Sequence, residues 1–299
     1  MSEQVSLVIV PVDGSTEADA ATRHAALLAN LYQARLHLVH VLPLNPAELC
    51  DLPSNRQADT DHDREKRLIH AEQAFAQAHS ILDTCNDSQK LQIDDIRLSD
   101  EGFVRHPERA IVEHARQHRK SLLVMGARHL SEIGKWVQGS VSNAVVHRAK
   151  GPVTVLHADA CQASMASIGR ILLPTDGSPH SDVAARLAGD LSRSGHIPVE
   201  LIFCQPPGEI PPLESGETEA QRVFQRTHQA LGELPAGSQE QLLASHRYAE
   251  AIVEQAHATP DNPVIIMGRR GMRQWQESLL GSISQQVISK AACPVTLVV

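Results

Sequence analysis

An acidic turn occurs twice in the chain, each time directly after an apolar run. Residues 11–15 spell PVDGS and residues 174–178 spell PTDGS. An aspartate at the end of a buried strand can bind a ribose hydroxyl or hold Mg²⁺ through a phosphate. It can equally cap the helix that follows the turn. The residues alone leave both roles open for Asp13 and Asp176.

A second repeated pattern combines glycines with serine. Gly268 and Gly271 follow an apolar run, and Gly281-Ser282 comes after nine further residues. Glycine lets the backbone approach phosphate oxygens and adopt positive φ. The apolar periodicity after Gly281-Ser282 predicts a helix start, where unpaired N–H groups and the helix dipole favour phosphate. Ser282 and Ser284 could add hydroxyl donors.

Other phosphate and catalytic signatures are missing from the sequence. There is no GxxxxGK[ST], no GxGxxG after a strand and no GxSxG. No general base, catalytic lysine or Cys–His pair is assembled beside the glycine pattern, so an enzyme is less favoured than a binding protein. Arg269, Arg270 and Arg273 lie within the pattern and either pair with phosphates or form a solvated loop.

The elements that must position these residues also repeat. Asp13 and Asp176 lie 163 residues apart, whereas LLVMGARH (122–129) and VIIMGRRG (264–271) are offset by 142. The first copy therefore holds extra chain, which the Pro-, Asn- and Asp-rich residues 43–63 predict to be a loop. Strands alternate with helices, which indicates βαβ units and a parallel sheet. We expect two tandem doubly wound α/β domains, 1–158 and 166–299, joined by a linker at 158–167.

The predicted strands are short apolar runs. They are 5–10, 36–41, 93–98, 122–125 and 153–156 in the first copy, and 168–173, 199–203, 241–244, 264–267 and 295–299 in the second. Ser15 and Ser178 each follow a strand and a glycine, so we expect them at or near a helix N-cap.

Composition narrows the class of protein. The net charge of −8 argues against a nucleic-acid partner, and no stretch of 18 apolar residues predicts a membrane span. The N-terminal residues lack the features of a secretory signal. The five cysteines are odd in number and form no CxxC pair, which indicates reduced thiols and a cytoplasmic location.

A histidine pair is the one candidate for a metal ligand set. His114 and His118 are spaced i, i+4 on a predicted helix, as two zinc ligands can be. No third ligand is evident, and 17 histidines make chance pairs expected. The sequence therefore predicts no metal site.

Taken together, the pattern Gly-x2-Gly-x9-Gly-Ser, the strand-one aspartate and the CPV-type last strand (293–295) closely resemble the universal stress protein family. The resemblance covers nearly the whole chain as two family domains in tandem. It implies a five-stranded parallel sheet of order 3-2-1-4-5 in each domain, with helices on both faces. It also implies the ATP-binding branch of the family, with ATP, AMP or ADP as ligand and Mg²⁺ as a candidate companion.

The resemblance also implies the site residues. In the second domain they are Asp176, Cys204, Met267, Gly268, Gly271, Gly281, Ser282, Ile283 and Ser284. In the first domain they are Pro11, Asp13, Val41, Met125, Gly126, His129, Gly139, Ser140, Val141 and Ser142. His129 departs from the motif, because it stands where the second copy has Gly271. It either weakens the first site or, when protonated, donates to a phosphate.

The expected function is that of a stress-response protein whose bound adenine nucleotide regulates it. The alternatives are a slow Mg²⁺-dependent ATPase or phosphotransferase working through Asp176 and Ser284, and an interaction protein that binds no nucleotide. The resemblance further implies that the two domains pair through their last strands as an intramolecular pseudo-dimer. A homodimer of the whole chain is compatible with this arrangement.

Overall fold

Strands and helices alternate along both halves of the chain. The computed structural model describes residues 4–42, 54–85, 91–99, 106–127, 141–157, 167–208, 217–271 and 280–299. The strands are β1 (Leu7–Pro11), β2 (Arg35–Val41), β3 (Ile93–Leu98), β4 (Ser121–Ala127), β5 (Val153–His157), β6 (Arg170–Pro174), β7 (Val199–Gln205), β8 (Ser238–Ala244), β9 (Pro263–Gly268) and β10 (Val295–Val298). The helices are α1 (Thr16–Tyr32), α2 (Ser54–Asp83), α3 (Pro107–Gln117), α4 (Val141–Arg148), α5 (Pro179–Gly195), α6 (Glu219–Leu231), α7 (Tyr248–Ala258) and α8 (Ser282–Lys290).

All these strands form one ten-stranded sheet. Its order is β3-β2-β1-β4-β5-β10-β9-β6-β7-β8. Within each half every neighbouring pair is parallel. Each half thus has the order 3-2-1-4-5, and the predicted fold class is confirmed.

Helices cover both faces of the sheet. Side chains of a strand point alternately to the two faces, so Val8 and Val10 pack with α1, α2, α5 and α6, whereas Leu7 and Ile9 belong to the core under α3, α4, α7 and α8. The strands are apolar at nearly every position because both faces are buried.

The two halves meet through their last strands. β5 and β10 are antiparallel, with Thr296 opposite Thr154. The two threonine hydroxyls lie 2.7 Å apart and are buried. The predicted pseudo-dimer through the last strands is therefore confirmed as the seam of a continuous sheet.

Two buried side chains cross the seam to carbonyls near the ends of helices. The Arg269 guanidinium, 4% exposed, donates to the carbonyls of Val146 and Ala149 at 3.0 Å, in α4 and just after it. In the opposite direction, His157 Nε2 lies 2.8 Å from the carbonyl of Ile288 in α8. Val146 and Ile288 are equivalent positions, so the crossing contacts follow the pseudo-twofold axis. The sequence suggests that Arg269 either pairs with phosphates or lies in a solvated loop. The buried contacts of its guanidinium contradict both interpretations.

The extra chain of the first copy is helical in part. Residues 54–63 belong to α2, so the predicted loop over 43–63 is wrong for this stretch, whereas 43–53 lie outside the described residues. No proline or glycine occurs between residues 54 and 83. Polar residues alone do not end a helix, because termination requires a residue that breaks the backbone pattern.

Two expectations from composition concern membranes and thiols. In the part of the chain that the structure describes, no helix is both long and apolar enough to cross a bilayer. Among the described residues, Cys85, Cys204 and Cys293 form no disulfide, and Cys50 and Cys161 lie outside these residues.

Replacing Arg269 tests the seam. The Arg269→Met substitution keeps side-chain length but leaves the buried carbonyls of Val146 and Ala149 without their donor. We expect the free energy of unfolding in urea to fall by roughly 2–3 kcal/mol, as for lost hydrogen bonds to a buried charge. Arg226→Met, which removes a half-exposed ion pair with Asp182, is the matched control and should cost less than about 1 kcal/mol. Equal losses from both variants would contradict this role of Arg269.

Candidate functional site

The acidic turn of the second half fastens a strand to the next helix. Gly177 has φ of +74°, which explains why glycine follows Asp176. Ser178 is the N-cap of α5, and its hydroxyl accepts from the Ser181 N–H at 3.2 Å. The Oδ1 atom of Asp176 accepts from the Ser178 N–H at 3.0 Å. The serine, not the aspartate, is therefore the N-cap residue.

The first half builds the same turn. Gly14 has φ of +76°, and the Ser15 hydroxyl caps α1 by accepting from the Ala18 N–H. Asp13 Oδ1 accepts from the Ser15 N–H at 3.0 Å. The N-cap prediction is thus confirmed for both serines, and each aspartate braces its turn with one carboxylate oxygen.

The motif glycines are needed for close approach rather than for positive φ. None of Gly268, Gly271 and Gly281 has positive φ. The expectation that these positions need glycine for a positive φ is therefore wrong. A Cβ atom added at Gly271 would lie 2.5 Å from Asp176 Oδ2. One added at Gly268 would lie 2.9 Å from the His180 Cβ atom, because β9 runs against the start of α5. The backbone after β9 thus lies directly over the acidic turn.

The start of α8 is anchored to the end of β9. Gly281 is the N-cap, and its N–H donates to the Arg269 carbonyl at 2.9 Å. The Ser284 hydroxyl donates to the Gly268 carbonyl at 3.0 Å. Ser284 was expected to offer its hydroxyl to a ligand, and instead it holds the helix in place. Helix geometry leaves the N–H groups of Ser282, Ile283 and Ser284 without partners inside the helix.

These elements enclose a cavity of about 630 Å³ at the carboxyl ends of β6, β7 and β9. All nine predicted second-site residues line it: Asp176, Cys204, Met267, Gly268, Gly271, Gly281, Ser282, Ile283 and Ser284. Ile202, Phe203 and Met267 contribute apolar surface to the lining, and Asp176 and the first turn of α8 contribute polar groups. The structure thus brings together residues that are up to 108 positions apart in the sequence.

Sequence analysis missed several residues of the cavity wall, and two of them begin helices. Glu219 and Tyr248 are the first residues of α6 and α7. Helix N-termini in a parallel α/β domain lie at the carboxyl edge of the sheet. The first residue of each predicted helix is therefore the signal that could have identified them.

Charge around the cavity is mixed. Arg270 and Asp176 both line it. Burial, together with Arg270 and Arg269, lowers the pKa of His180 against the opposing effect of Asp176. The imidazole is therefore neutral at neutral pH. Burial raises the pKa of the Cys204 thiol to about 11.

Both halves of the chain match the same known protein family. The sequence model of the Universal stress protein family matches residues 6–157 and again residues 167–299. The chain belongs to the universal stress protein family. The resemblance that the motifs carry is thus confirmed, with the two halves as tandem copies.

Relatives share the tandem form of this universal stress protein. One from Mycolicibacterium smegmatis is 31% identical over 97% of this chain and 96% of its own. Another, from Mycobacterium tuberculosis, is 27% identical over 96% of this chain and 95% of its own. A crystal structure of a universal stress protein from Archaeoglobus fulgidus has a TM-score of 0.70 at 19% identity, covering 99% and 98% of the two chains. That structure supports the fold.

In the first half, the predicted site residues that the structure describes lie at the carboxyl edge of the sheet, as in the second half. Pro11 and Val41 end β1 and β2, Met125 and Gly126 lie near the end of β4, and Asp13 lies in the turn. Val141 and Ser142 begin α4, whereas His129, Gly139 and Ser140 lie outside the described residues. A Cβ atom at Gly126 would lie 2.2 Å from the Glu17 carbonyl oxygen, so this universal stress protein uses close strand–helix packing in both halves.

The thiol of Cys204 provides a test of the cavity. With a pKa of about 11, it is about 0.1% thiolate at pH 8, against roughly a quarter for an unperturbed cysteine. We expect alkylation by iodoacetamide about 100-fold slower than that of free cysteine, rising nearly tenfold per pH unit from pH 7.5 to 9.5. Peptide mass spectrometry measures the rate at this residue. Labelling as fast as free cysteine would contradict the burial of this thiol.

Proposed function

We propose that the second half binds an adenine nucleotide, ATP, ADP or AMP, in the cavity at the carboxyl edge of its sheet. The observation that carries the proposal is the meeting of the acidic turn, the β9 glycines and the α8 N-terminus around one cavity of about 630 Å³. Cavities of this size suit small molecules, and the carboxyl edge of a parallel sheet is where such folds bind them.

Each part of a nucleotide has a chemically suitable wall. Ile202, Phe203 and Met267 offer an apolar surface to a flat base. The carboxylate of Asp176 can accept from ribose hydroxyls or hold Mg²⁺ beside the phosphates. The N–H groups of Ser282 and Ile283 can donate to phosphate at the positive end of the α8 dipole.

A regulatory role fits this site better than catalysis. The enzyme alternative relied on Ser284, whose hydroxyl donates to the Gly268 carbonyl. Occupancy of the cavity would brace the first turn of α8 against the acidic turn and so give the protein nucleotide-dependent stability. A role in a cytoplasmic stress response, with neither nucleic acid nor membrane as partner, completes the proposal. Dimerisation of the whole chain remains a prediction.

Gly281→Val tests the phosphate end of the cavity. A Cβ atom at Gly281 would lie 3.1 Å from the Arg269 carbonyl oxygen, and the valine branches would obstruct the approach to α8. We expect ATP affinity of the second site, measured by calorimetry, to fall roughly 100-fold, as when two hydrogen bonds to a charged group are lost.

The control is Gly151→Val, where an added Cβ atom has one neighbour, the Ser121 carbonyl oxygen at 3.7 Å. Circular dichroism and thermal melting establish whether each variant is folded, and the milder Gly281→Ala serves if valine unfolds α8. A folded Gly281→Val protein that binds ATP as tightly as the parent would refute the assignment.

His129 is expected to weaken the first site. At the matching position in the second half, a Cβ atom would crowd the acidic turn. His129→Gly should therefore tighten ATP binding by the first site at pH 7.5 by roughly tenfold, about 1.4 kcal/mol. At pH 5.5 the protonated imidazole of the parent can donate to phosphate, so the difference should narrow.

The Gly281→Val background isolates this effect, because it leaves the first site to dominate the calorimetric signal. The expected result is a tighter first site in the double variant than in Gly281→Val alone. Identical affinities at both pH values would show that residue 129 does not face the ligand.

A further inference from the structure

Three histidines of the first half meet on the face of the sheet that α3 covers. His37 is the third residue of β2, His114 is the eighth residue of α3, and His118 is the C-cap of that helix. One ring nitrogen from each lies within 4.8 Å of the other two. His37 Nδ1 and His114 Nε2 are 3.2 Å apart. These three residues are called the histidine cluster below.

The fold supplies the ligand that the sequence lacked. His114 and His118 form the helical pair, and the third imidazole comes from a strand 77 residues before His114. Alternation along β2 points His37 to the same face as Val39, which packs in the core with Ile111 of α3. A strand and a helix that are fixed by the core thus hold the three rings together.

We propose that the histidine cluster binds a divalent transition-metal ion, with Zn²⁺ as the representative ion. Zinc takes three imidazoles plus water in known sites, with Zn–N distances of about 2.0–2.1 Å. Tetrahedral bonds of that length place neighbouring nitrogens about 3.3 Å apart. The separation of His37 and His114 already matches this distance, and closing the remaining gap requires a small movement of His118.

The carboxylate of Asp94 lies beside the His37 ring, on the side away from His114. Asp94 is directly opposite His37 in the β2–β3 register, and its Oδ2 atom lies 3.5 Å from His37 Nε2. Metal-binding histidines commonly donate their second ring N–H to a carboxylate, which fixes the tautomer and orients the ring. A proton on His37 Nε2 would face Asp94 and leave a lone pair on Nδ1, the nitrogen that faces His114.

Two of the three imidazoles, those of His37 and His114, have lowered pKa values. Burial and the neighbouring His118 and His37 lower the pKa of His114 to about 4. Burial is also the main cause of the lowered pKa of His37, where Asp94 opposes the effects of His118 and Arg35. Neutral imidazole is the ligating form, so no proton must be displaced from these two rings at neutral pH.

The cluster is accessible from one side. His37 and His114 are buried, whereas His118 is partly exposed and lines a groove of about 510 Å³ together with Arg119 and Ser121. An ion and a water molecule can approach the cluster from the side of His118. The fourth coordination position is therefore assigned to water.

The second half carries a different set of residues at the same positions. Glu200 occupies the β7 position that corresponds to His37, and Gln255 and Thr259 correspond to His114 and His118. Gln255 Nε2 donates to Glu200 Oε1 at 2.6 Å. Buried polar groups at this place in the fold are thus satisfied by a hydrogen-bonded pair. The pair Glu200 and Gln255 therefore indicates which residues to substitute for His37 and His114.

Zinc titration of the tag-free full chain, after treatment with a chelator, tests the proposal. Competition with a chromogenic chelator measures the affinity, and the Co²⁺-loaded protein reports tetrahedral coordination through its visible absorption. We expect one tight site per chain and a rise in melting temperature with Zn²⁺. No nucleotide is present, so the result is independent of the proposed nucleotide site. Absence of a tight zinc site would overturn the proposal and leave the cluster as hydrogen-bonded imidazoles.

Variants locate the site. The double variant His37→Glu/His114→Gln installs the pair of the second half and should lose at least 100-fold in zinc affinity. His118→Ala, at the least buried ligand, should lose affinity without endangering the fold. Asp94→Asn should weaken binding by about tenfold. The exposed His228, beside Glu240, provides the control His228→Gln, which should bind like the parent. Unchanged affinity in the double variant or in His118→Ala would place the zinc elsewhere and refute the proposal.

Discussion

The antiparallel pairing of β5 with β10 is the interaction on which the rest of the molecule depends. Each strand would otherwise be the edge of a five-stranded sheet, with its backbone N–H and C=O groups unpaired. Pairing satisfies these groups and buries Thr154 against Thr296. It also brings Arg269 and His157 to carbonyls of the opposite half. The seam is therefore part of the core of both halves rather than a contact between finished domains.

The direction of this pairing determines where the carboxyl edges of the two halves lie. Strands within one half are parallel, so each half has one edge at which all its strands end. Because β5 and β10 are antiparallel, these edges face opposite ways. The proposed nucleotide site of the second half and the matching edge of the first half therefore lie at opposite ends of the paired strands. Arg269, whose backbone adjoins Gly268, contacts the C-terminal end of α4, which is the end of that helix away from Val141 and Ser142.

Much of this structure follows from local patterns. The apolar runs and the two Asp-Gly-Ser turns predict the strands and the N-caps Ser15 and Ser178, and the resemblance to the family implies the residues around the cavity. Local patterns fail where a residue acts through a distant partner. The role of Arg269 depends on α4, whose carbonyl groups accept its hydrogen bonds. The role of His37 depends on α3, which brings His114 and His118 next to it. The sequence does not predict the start of α2, because a polar composition is typical of loops as well as of exposed helices.

Because both halves belong to a single polypeptide, each half can change its residues independently of the other. In a symmetric dimer of separate, identical subunits, every mutation occurs twice and must be tolerated in both copies. A duplicated and fused gene is free of that restriction. Histidines at the positions of His37 and His114 in one copy, with Glu200 and Gln255 in the other, are an example of such divergence. Fusion preserves the paired architecture while selection acts on each copy separately.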